Sequence, residues 1–208
     1  MKRYRWYSIL IVGAVLLLAS SIVACGPPKE VAPAPPTEQA APPAPPPPTK
    51  ETKTYTNSQY GFSFDYPEDW DEMPQEMFEQ EEGAAFVVAA GFWAPVACGG
   101  GFANVNVVRE TLPSRVSVQA YWEENKQRVR EELERYTIIS ERGTEINGVP
   151  AVKVVATFDY QVMPVQHVQA FLVEGKTGWV VTCTCTPDCW DEYEPTFSRI
   201  VDSFRFVD

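Results

Sequence analysis

The chain has 208 residues, and roughly the first 50 lack the pattern of a folded domain, which leaves about 155 residues, one ordinary domain with a real core. Formal net charge is −11, and it becomes −14 without residues 1–24, whose only charges are Lys2, Arg3 and Arg5. A domain that acidic is repelled by nucleic acid and by anionic lipid head groups, so a nucleic-acid partner is excluded.

Lys2, Arg3 and Arg5 precede the uncharged apolar run Ile9–Ala19, and Ile22-Val23-Ala24-Cys25 follows. A short apolar stretch behind positive charge, ending in small residues, reads as an export signal. The competing reading is a permanent anchor, since Tyr4–Val23 is about 20 residues, just enough to span a bilayer. The cysteine separates the two. The segment resembles the bacterial lipobox, which implies thioether lipidation of Cys25, cleavage before it and acylation of the new amino terminus. Several acyl chains together hold a protein firmly at a membrane. Gly26 is similar to the signal for outer-membrane sorting, where a cell has an outer membrane.

Residues 26–50 hold 11 of the 19 prolines. Proline fixes φ and lacks the amide donor, so neither helix nor sheet forms. The stretch reads as an extended spacer of about 3.1 Å per residue, a semi-rigid stalk. The organisation expected is a lipoprotein signal peptide at 1–24, lipidated Cys25 with a proline-rich linker to residue 53, and a globular domain over 54–208.

Within that domain Tyr60, Phe62, Phe64 and Tyr66 alternate with small or polar residues, a half-buried strand that Pro67 ends. Asp65–Trp70 reads as a turn into a short irregular piece. Ala84–Phe92 is a continuous apolar run, expected as a strand buried on both faces. Ala103, Val105 and Val107 alternate with Asn104 and Asn106. Ser117 is placed to cap a helix, whose apolar stripe is Val118, Tyr121, Trp122, Val129, Leu133 and Tyr136. A strand is expected from Ile138-Ile139. Asn147-Gly148 signals a type I′ hairpin. The strand after it puts Val152, Val154, Ala156, Phe158 and Tyr160 on one face. In the next strand Val168, Ala170 and Leu172 lie opposite His167, Gln169 and Phe171. After a turn at Glu174–Gly178, Trp179, Val181, Cys183 and Cys185 share a face. Tyr193–Ser203 has helical spacing, with Pro195 near its start, where a missing amide hydrogen does no harm. Short turns between neighbouring strands mean antiparallel pairing. The fold expected is α+β, a single antiparallel sheet of about six strands flanked by helices.

Tyr60–Trp70 (YGFSFDYPEDW) resembles the opening of PsbP-like domains, and Gly148-Val149-Pro150-Ala151 with its long strand is similar to their middle. Phe197–Phe206 (FSRIVDSFRF) is similar to their close. The likeness covers residues 54–208 and implies an α/β/α sandwich in a mostly non-enzymatic family. Its plant and cyanobacterial members assist the oxygen-evolving photosystem, and its bacterial relatives include envelope lipoproteins. No functional residue of the family matches here, so no photosynthetic role is inferred.

Four cysteines remain besides Cys25. Cys98 stands beside three glycines, and Cys183, Cys185 and Cys189 have C-x-C-x3-C spacing. Outside the cell, disulfides are expected; four thiolates could instead bind a soft metal. Cys183 and Cys185 are about 7 Å apart along one strand, near the limit for a bridge, so the expected partner of Cys98 is Cys183 or Cys185, with Cys189 taking the other. The bland reading of His167, the single histidine, is a strand-face residue, since nothing places a nucleophile and an orienting acid around it. Glu79, Glu81 and Glu82 lack calcium-loop spacing and read as a solvated charged loop. No phosphate-binding loop is present. Phe92, Trp93 and Trp190 are either core lids or a partner patch. No catalytic residue, metal or cofactor is assigned. The expected function is a membrane-anchored accessory or binding lipoprotein on the extracytoplasmic face, its partner an envelope protein or a small ligand; the alternative is a metal-binding or thiol-redox protein using the four cysteines.

Overall fold

The computed structural model describes residues 51–78, 84 and 86–207. The signal segment, Cys25, the proline-rich tether and the acidic Glu79, Glu81 and Glu82 lie outside the described residues.

Strand β1 (Thr52–Asn57) pairs antiparallel with β2 (Phe62–Pro67), which stops at its proline. Their turn is built by Gly61 at φ +71° and by Asn57, whose Oδ1 accepts from the Tyr60 amide at 3.0 Å. After the two-residue β3 (Asp71–Glu72) and a 3-10 turn at Gln75–Phe78 come β4 (Phe86–Cys98) and β5 (Gly101–Thr111). Helix α1 (Val118–Glu132) starts at Ser117, whose side chain accepts from the Ala120 amide. Four long strands follow as a meander: β6 (Glu134–Ile146), β7 (Val149–Tyr160), β8 (Met163–Glu174) and β9 (Thr177–Cys185). A 3-10 turn (Pro187–Cys189), helix α2 (Trp190–Ser203) and β10 (Arg205–Phe206) complete the fold.

The single sheet of about six strands is corrected to two sheets. Seven strands form one antiparallel sheet in the order β3-β4-β5-β9-β8-β7-β6, and β1-β2-β10 form a second of three strands. The aromatic strand β2 is the reason. It carries Phe62 and Phe64, both fully buried, and packs them onto the large sheet against Trp179 and Phe92 instead of joining its ladder. Rings of that size stabilise more by filling an inter-sheet layer than by extending an edge. Helix α2 covers the same face, seating Phe197, Ile200 and Val201 in the core. Helix α1 covers the other face, where Tyr121 and Trp122 meet Val152, Val154, Ala156, Phe171 and Val180.

Helix α1 is also shorter than its apolar stripe suggested. Leu133 is extended and Arg135 has φ +52°, so Tyr136 belongs to β6. Pairing of Thr137 with Thr157 recruits the segment into the sheet ladder, and this outweighs the helical spacing of Leu133 and Tyr136. The Asn147-Gly148 hairpin forms with positive φ at both residues. Asn147 then does a second job: its Nδ2 donates to the carbonyls of Asp202 and Phe204 at the end of α2. Lys153 beside it donates to Asp202 Oδ1 at 2.6 Å, a cation at a helix C-terminus.

Candidate functional site

The β4–β5 hairpin ends in a two-residue turn, Gly99-Gly100, with φ +62° and +90°. Only glycine suits Gly99 twice over, since a Cβ there would stand 2.1 Å from Thr186 Oγ1. Beside this turn Cys98 is bonded to Cys189, with a Cα–Cα distance of 6.1 Å. The Thr186 hydroxyl sits 3.2 Å from Cys189 Sγ. The expected pairing of Cys98 with Cys183 or Cys185 is therefore corrected. Those two residues lie inside β9, opposite Val168 and Gln166 of β8, and the ladder holds both sulfurs against the packed face. The 3-10 turn after β9 instead carries Cys189 to the hairpin tip.

Cys183 and Cys185 remain thiols. Burial pushes the Cys183 thiol well up, with the neighbouring Cys185 adding to it, and pushes Cys185 up to about 12. Neither is a thiolate at neutral pH, so neither is poised as a nucleophile. Among the described residues no group of three or more His, Cys, Asp or Glu is arranged to hold a metal ion. The cysteine quartet proposed for metal or redox chemistry is thus split, one pair bonded and one pair sealed in the core.

The aromatic trio does not form one patch. Adjacent residues of a strand point to opposite faces. Phe92 pairs with Val105 and faces the core, 1 % exposed, with the Tyr66 ring 4.3 Å away. Trp93 pairs with Asn104 on the opposite face and meets Phe102 at 6.4 Å. Trp190 opens α2 and leans on Phe197 at 5.9 Å. What the fold exposes at this end is a different set. Val96 is 67 % exposed and Phe102 39 %, and a Cβ on Gly100 would lie 4.0 Å from Met163 Sδ, next to Val162, which is 87 % exposed. Sequence reasoning missed Phe102 and Val96; the alternation around Ala103 and Val105 already placed Phe102 on the side away from the core.

His167 is fully buried between Phe158 and Tyr136, with ring centroids at 5.3 and 5.9 Å. Neither ring nitrogen has a hydrogen-bond partner, and burial pushes its pKa down to about 3. It is a neutral core side chain whose cross-strand partner on β9 is Thr184, and no hydrogen bond joins the two.

A sequence profile described as PsbP-like protein matches residues 12–206. Of proteins with curated descriptions, none matches. Among solved structures, the solution structure of cyanobacterial PsbP (CyanoP) from Synechocystis sp. PCC 6803 superimposes with TM-score 0.55 at 13 % identity, covering 76 % of this chain and 94 % of that one. LpqN of Mycobacterium tuberculosis, described as involved in cell envelope biogenesis, gives TM-score 0.53 at 9 % identity over 76 % and 91 %. The Pseudomonas aeruginosa protein PA94, of unknown function, gives 0.52 at 14 % over 73 % and 94 %. At such identities the likeness is one of fold.

Proposed function

The chain belongs to the PsbP-like family, and from that membership we propose that it is a non-catalytic binding or accessory protein of the bacterial cell envelope, anchored to the membrane through lipid on Cys25. The observation that carries the binding role is the apolar end of the large sheet. Val96, Phe102 and Val162 stand in solvent there, and the Cys98–Cys189 bond fixes the hairpin that presents two of them. Exposed aliphatic and aromatic groups on a rigid tip cost little entropy when a partner covers them. The envelope location rests on the lipobox-like segment and the proline-rich composition of residues 26–50. The involvement of LpqN in cell envelope biogenesis supports the same setting.

The test is affinity capture from membranes with mass spectrometry of what co-purifies, wild type beside the Val96→Glu/Phe102→Glu double variant. One envelope complex should co-purify with the wild type and be lost from the variant, while Cys25→Ala should move the protein out of the membrane fraction. Recovery of the same complex by both proteins would reject the apolar end as the binding surface. A Cys25→Ala protein still in the membrane would reject the lipid anchor.

A further inference from the structure

Helix α1 covers its sheet face incompletely. Along its flank toward β5 a cleft of about 90 Å³ opens, floored by Val108, Val180 and Phe171 and bounded by the helix at Tyr121 and Arg128. The face turns polar just beyond this floor. Asn106, Thr182 and Gln169 are register partners across β5, β9 and β8, one row on from Val108, Val180 and Phe171. Asn106 is 4 % and Thr182 3 % exposed.

Polar side chains buried in an apolar layer ordinarily satisfy one another. Here they do so only in part. Gln169 Nε2 donates to Thr182 Oγ1 at 3.0 Å, but Gln169 Oε1 and Asn106 Oδ1, on either side of Thr182, are buried and receive no hydrogen bond. Gln169 also lines the cleft. Its terminal torsion is soft, and turning Oε1 toward the cleft gives up the Nε2 bond to Thr182 Oγ1, a cost that the occupant's donor has to offset.

These features fix the chemistry of an occupant. Both unpaired groups are acceptors, so the occupant donates. The floor is two valines and a phenylalanine, so its body is apolar. The charges at the rim are already engaged, Tyr121 donating to Glu110 at 2.9 Å and Arg128 lying 3.6 Å from the same carboxylate, so the occupant is uncharged. A space of this size takes a group with about the bulk of one six-membered ring. We propose that the cleft between α1 and the large sheet is a binding site for a neutral single-ring compound or ring substituent that carries one O–H or N–H donor, received by Gln169. This stands apart from the anchor and from the apolar end of the sheet, and neither is needed for it.

Phenol is the minimal probe, and toluene has the same shape without the donor. Titrated into the full chain and followed by NMR, phenol should give saturable shifts at Val108, Phe171, Val180 and Thr182. Toluene should bind at least tenfold more weakly. Gln169→Leu, similar in bulk but without the oxygen, should weaken phenol at least tenfold with an unchanged circular dichroism spectrum; should that variant fail to fold, Gln169→Met, unbranched and also without the amide oxygen, should weaken phenol likewise. Absence of saturable shifts, equal binding of toluene, or undiminished phenol binding by the folded variants would overturn the site and leave the row to ordered water.

Discussion

His167 shows how one side chain turns burial into a pH dependence. Its imidazole lies among the Phe158 and Tyr136 rings with no partner for either nitrogen, and desolvation holds its pKa near about 3. In the unfolded chain the same ring titrates at about 6.5. Between those values the unfolded state binds more protons, so stability rises with pH through this window and is lost as pH falls below 6.5. At pH 5 the loss amounts to about 2 kcal/mol from this residue. His167→Phe keeps an aromatic ring and removes the protonation, so urea unfolding at pH 7 and pH 5 should show the wild type losing about 2 kcal/mol more than the variant. Parallel losses in the two proteins would mean that the ring is not held neutral in the core. The strand alternation already placed His167 beside Gln169 and Phe171. Its isolation was not legible, because it depends on Tyr136, whose spacing reads as helix and whose place is set by long-range pairing with β7.

The seating of α1 depends on a residue that carries no side chain. Gly178 pairs with Glu110, and a Cβ added to it would lie 2.4 Å from Cζ of Tyr121. That ring cannot step aside freely, since its hydroxyl donates to Glu110 and its edge meets Phe171 at 6.0 Å. Gly178→Ala should therefore lever the helix off the sheet at a cost of about 1–3 kcal/mol, read as a lower guanidinium midpoint. Gly143→Ala, where an added Cβ meets nothing within 4 Å, should change stability by no more than about 0.5 kcal/mol. Equal effects at the two sites would show that the Tyr121 contact does not hold the helix. Elements of this kind differ in how clearly their residues announce them. The long strands β5, β7, β8 and β9 carry alternating apolar residues that are visible residue by residue, although the two layers around the sheet bury both faces over much of their length. Strands β1 and β10 are short or mostly polar and form only because β2 offers an edge on each side. The second layer follows from the bulk of Phe62 and Phe64 meeting Trp179 and Phe92, contacts that link positions far apart in the chain.

Across the whole molecule, the Cys98–Cys189 bond joins the tip of the β4–β5 hairpin to the start of α2 over a separation of 91 residues. The loop it closes contains α1 and the meander from β6 to β9, most of the large sheet. Composition and the expected export signal made disulfides legible; which sulfurs meet depends on where β9 stops and the 3-10 turn begins, which only the assembled ladder decides. Closing a loop of that length removes unfolded-state freedom corresponding to roughly 4–5 kcal/mol at 25 °C. The Cys98→Ser/Cys189→Ser double variant should keep its strand content by circular dichroism, because the ladders do not need the bond, yet unfold at a markedly lower guanidinium midpoint. An unchanged midpoint would mean that the bond closes no loop that matters to the unfolded chain. Thiol counting separates the cysteine classes in the same protein. Cys183 and Cys185 are buried thiols and should react only after denaturation, giving two thiols without reductant and four with it if Cys25 carries its thioether lipid. A third thiol in denaturant without reductant would place an unmodified Cys25 in the protein, so one titration reads both the pairing that organises the domain and the anchor proposed to hold it at the membrane.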